Sequence, residues 1–245
     1  MNDRWLLILG ANSDIAVGTA HQFASNNWNL MLASRNLSNL NKMASDIKIK
    51  HNVRVKTFEF DAAAFDNHKT FYQKLTYKPN GVVLAFGYLG DQETAQNDFE
   101  EAKKSLDVNY NGAVSILEIV ADDFTERGEG FIAGISSVAG ERGRQENYIY
   151  GSAKAGFTAY LSGLRQRLFK KNIHVLTIKP GFVKTKMTFG RDLPNILTAS
   201  PEQVGKAIYK GVIKQKNVIY VYPVWRLIML VIRLIPEPIF KRLDL

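Results

Sequence analysis

Apolar residues along this chain keep two rhythms. Short unbroken runs alternate with longer stretches in which an apolar position returns every three or four residues. The first run, Trp5-Leu6-Leu7-Ile8-Leu9, is bounded by Gly10 and has the pattern of a strand buried on both faces of a parallel sheet. Runs of the same kind at residues 29–34, 54–60, 81–87, 131–135, 174–180 and 218–222 predict six more strands. The helical rhythm fills the gaps: Ile15, Ala16, Thr19, Ala20 and Phe23 after the first strand, a more polar stretch over residues 37–51, and a region around residues 106–112. The longest helical stretch begins near Tyr150, where Tyr150, Lys154, Phe157, Leu161, Leu164 and Leu168 recur at spacings of four and three and so share one face. Strands alternating with helices predict an α/β fold, a doubly wound parallel sheet of Rossmann type with about seven strands. Residues 1–223 are expected to form that single domain, and residues 224–245 an apolar C-terminal extension that is not an independent domain.

The ends of the predicted strands carry the chemistry. Ligands of open parallel sheets sit beyond the carboxyl ends of the strands, and Gly10, Arg35, Asp61, Gly87, Ser137 and Gly181 all fall at such ends. Gly10-Ala11-Asn12-Ser13-Asp14-Ile15-Ala16 is a tight turn entering a helix, whose free N–H groups and dipole favour a phosphate. Only Gly10 holds a glycine place there, with Asp14 and Ala16 standing where a richer dinucleotide fingerprint has glycine. Asp14 is expected to cap the helix, and Asn12 or Ser13 to supply replacement hydrogen bonds. After the second strand an acidic residue would hold the ribose hydroxyls of NAD, whereas Arg35 suits the 2′-phosphate of NADP. For Asp61 two readings stand, an acceptor for the adenine amine or a cap on the next helix; Gly87 lets backbone approach a ligand closely. Tyr150 and Lys154 lie one helical turn apart. A phenol has a reference pKa of about 10 and a nearby ammonium favours its ionised form, so Lys154 is expected to lower the Tyr150 pKa and suit it to proton transfer.

Composition narrows the field. A chain of 245 residues with 46% hydrophobic content can bury one sizeable core. It has no cysteine, which excludes a disulfide framework, a thiolate metal site and a thiol nucleophile and agrees with a reducing cytoplasm. Its four histidines, His21, His51, His68 and His174, lack ligand spacing, so no metal is expected. The formal charge of +9 suits an anionic cofactor or substrate, or a membrane surface. Nucleic acid is not expected, because no basic stretch is interleaved with aromatics and no helix-turn-helix or finger pattern occurs. The apolar run before Gly10 is too short for a signal-peptide core, which leads us to expect a cytoplasmic location.

With these residues in hand, the sequence resembles the short-chain dehydrogenase/reductase family over nearly its whole length. The matching pieces are the turn from Gly10 to Ala16, Asp61-Ala62, Ala85-Phe86-Gly87, Asn109, Ile135-Ser136-Ser137-Val138-Ala139-Gly140, Tyr150 with Lys154, and Pro180-Gly181-Phe182-Val183 with Thr185. The resemblance implies an NAD(P)-dependent oxidoreductase, and Arg35 points to NADPH. In that family the catalytic Ser lies about a dozen residues before the Tyr, which favours Ser137 over Ser136. It further implies that Tyr150 exchanges a proton with the substrate oxygen and that Ser137 hydrogen-bonds that oxygen. Lys154 would tune Tyr150 and hold the nicotinamide ribose, while Asn109 would position a water chain leading to Lys154. Val183 and Thr185 would contact the nicotinamide carboxamide, and Gly10, Asn12, Ser13, Asp14, Ile15, Arg35, Asp61, Ala62, Ala85, Gly87, Pro180 and Gly181 would complete the cofactor contacts. The Ser-Asp-Ile of the turn also resembles a subgroup that includes a keto-reductase acting on decaprenylphosphoryl ribose, a lipid-linked sugar. The glycine-poor turn, and Ala85-Phe86-Gly87 in place of an Asn-rich turn, depart from the family pattern. The alternative is a non-catalytic NADP-binding or scaffolding protein, which would have no need of Ser137, Tyr150, Lys154 and Asn109 together.

The segments expected to cover the pocket, residues 140–147 and 184–194, carry Arg142, Arg144, Lys184, Lys186 and Arg191 beside Met187 and Phe189. Such a lining suits a small-molecule or lipid-linked substrate with an anionic group and an apolar part; solvated loop charges are the plainer reading. In the extension, the run over residues 224–235 is apolar except for Arg226 and Arg233, and Pro236 stops it. It is too short to span a bilayer, which takes about 20 residues. Two roles are open: lying in a membrane interface with Trp225 and Phe240 as anchors and Arg226, Arg233, Lys241 and Arg242 near anionic lipid, or packing on its own domain or a second subunit. The family resemblance implies a homo-oligomer.

Overall fold

At the centre of the sheet β1 (Trp5–Leu9) runs between two parallel neighbours, and all five of its residues are buried. Alternate side chains of a strand point to opposite faces. Leu6 and Ile8 accordingly enter one apolar cluster, and Trp5, Leu7 and Leu9 the other. The computed structural model describes residues 3–190 and 192–243. In chain order these form α1 (Asp14–Ala24), β2 (Asn29–Ser34), α2 (Leu37–His51), β3 (Val55–Glu59), α3 (His68–Gln73), β4 (Gly81–Leu84), α4 (Gln92–Asn97), α5 (Phe99–Leu106) and α6 (Gly112–Arg127). Then follow β5 (Phe131–Ile135), α7 (Tyr148–Phe169), β6 (His174–Lys179), β7 (Phe182–Val183), β8 (Thr198–Ala199), α8 (Pro201–Ile213), β9 (Val218–Tyr220), α9 (Val224–Leu234) and α10 (Glu237–Phe240).

Seven strands make one parallel sheet in the order β3-β2-β1-β4-β5-β6-β9. The chain leaves β1 toward β2 on one side and returns to β4 on the other, so the order reverses at β1 and a crevice opens at the carboxyl ends of β1 and β4. Helices cover both faces. Ala16, Ala20 and Phe23 of α1 and Val204 and Ile208 of α8 fill one side; Ile116, Leu117, Val120 and Phe124 of α6 with Phe157, Leu161, Leu164 and Leu168 of α7 fill the other.

The predicted strands are present, several of them shorter than their apolar runs. β4 ends at Leu84 because Ala85, whose amide still bonds the Leu9 carbonyl at 2.8 Å, begins a turn that leaves the sheet. β9 stops at Tyr220, and the small parallel pair β7–β8 is an addition. The region at residues 106–112 is not plain α-helix: Asp107–Asn111 form a π-turn between α5 and α6, a bulge found often at functional sites.

Helix α9 settles part of the question about the extension. Trp225 and Met229 are buried against Val138, with Phe182, Tyr220 and Tyr222 around them, and Trp225 Nε1 donates to the Leu197 carbonyl at 3.1 Å. Trp225 therefore takes the second of the two roles left open, packing on its own domain, and not that of an interfacial anchor. Its ring lies so close over Gly181 that a Cβ there would sit 1.9 Å from it. Phe240 is half-buried beneath the Arg142 guanidinium, 3.6 Å from its ring centre, and is no free anchor either. Arg142 also donates to the carbonyls of Ile232 and Ile235, both at 2.6 Å, closing the C-terminus of α9. The outward face keeps Leu227, Leu230, Val231 and Leu234 exposed. No helix among the described residues is long and apolar enough to cross a membrane.

Candidate active site

A cavity of ≈ 330 Å³ lies at the carboxyl ends of the central strands. It runs from the start of α1 to the head of α7 and contains Asn12, Ser13, Asp14, Ile15, Ala85, Gly87, Ser137, Tyr150, Lys154, Pro180, Gly181, Val183 and Thr185 in its lining. Gly10, Arg35, Asp61, Ala62 and Asn109 are not part of that lining.

The turn after β1 explains itself sterically. Gly10 has φ +80°, and a Cβ would come within 2.4 Å of the Phe86 amide nitrogen, so only glycine fits. The cap of α1 is Ser13 rather than Asp14: Ser13 Oγ accepts from the Ala16 amide at 3.2 Å and donates to the Ala85 carbonyl at 3.1 Å. Asp14 is the first helical residue, and its carboxylate accepts from the Lys186 amide at 2.7 Å. Its charge is thereby directed at the backbone of the 184–188 segment. The amides of Asp14 and Ile15, the first two of the helix, have no intrahelical acceptor. They form an N–H cradle at the cavity wall that fits a pyrophosphate. Asn12 donates to Ser34 Oγ at 3.2 Å and to the Asn36 carbonyl at 3.0 Å, pinning the turn to the end of β2.

Arg35 follows β2 directly, is exposed, and enters no ion pair among the described residues. Asp61 caps no helix. Its Oδ1 accepts from the Ala63 amide at 3.1 Å, closing a turn, and the short 3₁₀ turn before α3 begins from Ala64. Ala62 is buried against the start of α6, where a Cβ on Gly112 would come within 2.1 Å of the Ala62 carbonyl oxygen.

At the opposite end of the cavity the two serines separate by environment. Ser136 Oγ is buried, donating to the Lys154 carbonyl at 3.0 Å and sharing a 2.7 Å bond with Thr158, so it holds α7 to β5. Ser137 faces the cavity, its Oγ accepting from the Ala139 amide at 3.1 Å, and its hydroxyl acts on the neighbouring Tyr150 phenol. Lys154 is 3% exposed; its Nζ donates to the Ile135 carbonyl at 3.2 Å and lies 5.7 Å from the Tyr150 ring centre. Burial pushes this ammonium down to about 8, with no carboxylate paired to it among the described residues. Burial likewise pushes the Tyr150 phenol up to about 12, against the opposing pull of Ser137. The sequence-based expectation of a phenol lowered by Lys154 is thus reversed in the protein alone, because desolvation disfavours both charged forms.

Asn109 sits in the π-turn, 1% exposed. Its Nδ2 donates to the carbonyls of Tyr88 and Ser105 at 2.6 and 2.8 Å, and its Oδ1 accepts from the Tyr88 amide at 3.2 Å. Gly87 lies between Asn109 and Lys154: a Cβ there would be 3.0 Å from Asn109 Oδ1 and 3.5 Å from Lys154 Nζ. Of the residues expected to cover the pocket, Arg144, Lys186 and Met187 line the cavity; Arg142, Lys184 and Phe189 do not, and Arg191 lies outside the described residues. Sequence reasoning missed Asn147 and Gln92. Asn147 stands at the N-cap of α7 without making a cap bond, and its Oδ1 is buried without a partner. Gln92 accepts from the Ile149 amide at 3.1 Å and leaves its Nε2 buried and unpaired. Asparagine just before a helix was the available signal, since that position normally bonds the helix start. Among the described residues no trio of His, Cys, Asp or Glu could hold a metal.

Residues 4–193 match the short chain dehydrogenases. An uncharacterized oxidoreductase of Mycobacterium tuberculosis is 34% identical over 241 residues, 97% of this chain and 96% of that protein. An uncharacterized oxidoreductase of Streptomyces coelicolor is 32% identical over 243 residues, 98% of this chain and 96% of its own length. Among solved structures, a short-chain dehydrogenase from Sphingobium yanoikuyae in complex with NADPH superposes with a TM-score of 0.83 at 22% identity, covering 93% of this chain and 92% of the other. A 7β-hydroxysteroid dehydrogenase superposes with a TM-score of 0.85 at 16% identity, covering 98% and 96%. At these identities the two structures speak for the fold.

Proposed function

The chain belongs to the short-chain dehydrogenase family and is an NAD(P)-dependent oxidoreductase, and from that premise we propose that it reduces a ketone, or oxidises the corresponding alcohol, with NADPH as the preferred cofactor. The observation that carries this reading is that Ser137, Tyr150 and Lys154 share one cavity with the helix start at Asn12–Ile15. A bound nicotinamide would supply or accept the hydride. Tyr150 donates a proton to the carbonyl oxygen, and Ser137 hydrogen-bonds that oxygen as charge develops on it. An ammonium brought down to about 8 gives up and regains a proton near neutrality, so Lys154 can replenish Tyr150. Asn109, held by three backbone bonds, positions a water path to Lys154. The amides of Asp14 and Ile15 meet the pyrophosphate, with Gly10, Asn12 and Ser13 shaping the turn. Arg35 holds the 2′-phosphate, Asp61 and Ala62 the adenine end, Ala85 and Gly87 the adjoining ribose, and Pro180, Gly181, Val183 and Thr185 the carboxamide. The substrate is a keto compound with an anionic or lipid-linked part.

The test is to mix the protein with NADPH and a panel of ketones and follow nicotinamide absorbance. Turnover that depends on Tyr150 supports the reading. NADPH binding without turnover of any ketone would overturn it and leave a nucleotide-binding scaffold.

The exposed stripe of α9 supports a second reading about partners. Leu227, Leu230, Val231 and Leu234 form an apolar outer face beside Arg226, with Lys241 and Arg242 beyond α10. This face rests peripherally on an anionic membrane on the cytoplasmic side. Co-sedimentation with anionic vesicles, lost on changing Leu227 and Leu234 to Ser, is the expected result. A change in oligomer size instead would assign the face to a second copy of the chain.

A further inference from the structure

Two arginines two residues apart in the loop before α7 have opposite fates. Arg142 donates to three carbonyls of the α9 C-terminus and to Glu237, and stacks on Phe240. Arg144 is half-buried in the cavity wall; its Nε is shut off from solvent without an acceptor, and it enters no ion pair among the described residues. A guanidinium stays charged under all ordinary conditions, and a partly desolvated cation without a counter-charge is unfavourable. Among the described residues no acceptor or carboxylate satisfies it. Asp14, the one carboxylate in the cavity lining among the described residues, is bonded to the Lys186 amide. Asn147, which lines the same cavity, adds a second buried polar atom without a partner, its Oδ1.

The geometry points to Arg144 as the specificity-determining residue that receives an oxyanion group, a carboxylate or a phosphate, on the keto substrate. The inference rests on the proposed function, because it takes the cavity beside Tyr150 as the substrate site. The planar fork of a guanidinium matches two oxygens of either group. The same lining includes the apolar side chains of Leu89, Val138, Phe182 and Met187, which suit the uncharged part. Arg35 lies outside this lining, so the demand of Arg144 is separate from that of the 2′-phosphate. A side chain that recognises charge discriminates against an uncharged analogue, since that analogue leaves the half-buried guanidinium without a counter-charge and its Nε without an acceptor.

The experiment compares matched pairs: levulinate with its ethyl ester for the carboxylate arm, and dihydroxyacetone phosphate with dihydroxyacetone for the phosphate arm. Steady-state rates with NADPH are measured for the wild type, R144Q and R144K. The wild type is expected to favour the anionic member of at least one pair in kcat/KM. R144Q should lower that preference about 10- to 100-fold, mainly through KM, with R144K recovering part of it. Which pair responds identifies the group. Equal loss on charged and neutral members, or no loss on either, overturns the inference. Calorimetric titration of levulinate and of sn-glycerol 3-phosphate into the NADPH complex keeps the two readings apart. If no ketone turns over, the proposed function fails, yet binding of one anion that R144Q weakens tenfold or more would still uphold the role of Arg144. If neither anion binds, or R144Q binds as the wild type does, that role fails whatever the turnover.

Discussion

Two buried charges lie on neighbouring segments of this molecule and are treated in opposite ways. Glu141, at the end of the turn that follows Ser137, accepts from Lys179, from the Tyr220 hydroxyl at 2.8 Å and from Arg233 at 3.3 Å. Burial would push its carboxyl up, but these donors hold it below its ordinary value. It ties the loop to β6, β9 and α9. Lys154, whose backbone would touch a Cβ on Gly140 at 2.7 Å, finds a single hydrogen-bond acceptor for its Nζ among the described residues, the Ile135 carbonyl. Its charge is left uncompensated, and its proton is correspondingly loose. A fold can afford such a group where chemistry needs a movable proton, and it neutralises the other where the charge serves only as a tie.

The sharpest break in this comparison lies on the reactive side. Tyr150→Phe keeps the ring and its packing but removes the hydroxyl proposed to carry the proton, so ketone turnover should fall by about 10² to 10⁴ while NADPH affinity and the melting temperature stay near those of the wild type. Steady-state kinetics beside a fluorescence titration of NADPH would show it, and undiminished turnover would remove Tyr150 from the mechanism.

On the structural side, Glu141→Ala leaves Lys179 partly buried without a counter-charge. A loss of about 3 to 5 kcal/mol in urea unfolding is expected. A carboxyl held below its ordinary value stabilises above its unfolded pKa and loses that effect as pH falls through the folded one. The gap between wild type and variant should therefore narrow in acid; a gap independent of pH would point to lost packing instead.

Lys154→Met should do the reverse of Glu141→Ala, stabilising the fold while abolishing activity. Relief of the buried ammonium outweighs the bond lost at the Ile135 carbonyl, for a gain of about 2 kcal/mol at neutral pH. Between about 8 and the ordinary lysine value of 10.5 the unfolded chain binds the proton that the folded one has released. Wild-type stability should rise relative to the variant across that window. A variant less stable than wild type at neutral pH would mean that the ammonium is well satisfied.

The smallest effect concerns a charge that is neither buried nor paired. Arg35→Asp should leave stability unchanged and lower the preference for NADPH over NADH by about tenfold or more, since it removes a charge-assisted contact and adds repulsion of the 2′-phosphate. Equal affinity of the wild type for both cofactors would end this reading of Arg35.

What was legible in the sequence followed from local rules. A strand buried on both faces must be a nearly continuous apolar run, so β1, β2, β5 and β6 could be read directly. The buried stripe of α7 had to recur at helical spacing, which placed Lys154 on the same face as Phe157 and Leu161. Because parallel strands bring their carboxyl ends together, the strand ends that carry the candidate site residues could be grouped from the sequence alone. The tertiary structure decided whatever depends on distant neighbours. Ser13 became the cap because its hydroxyl also reaches Ala85, which left the Asp14 carboxylate to the Lys186 amide, 172 positions away in sequence. Helix α9 carries Arg226 and Arg233 among apolar residues, and the packing of Trp225 over Gly181 and of Met229 against Val138 chose its inward face. Nearness of Tyr150 and Lys154 was written in the sequence, but their proton affinities were not. Desolvation is a property of all the atoms packed around a group, and those are assembled only when the chain folds.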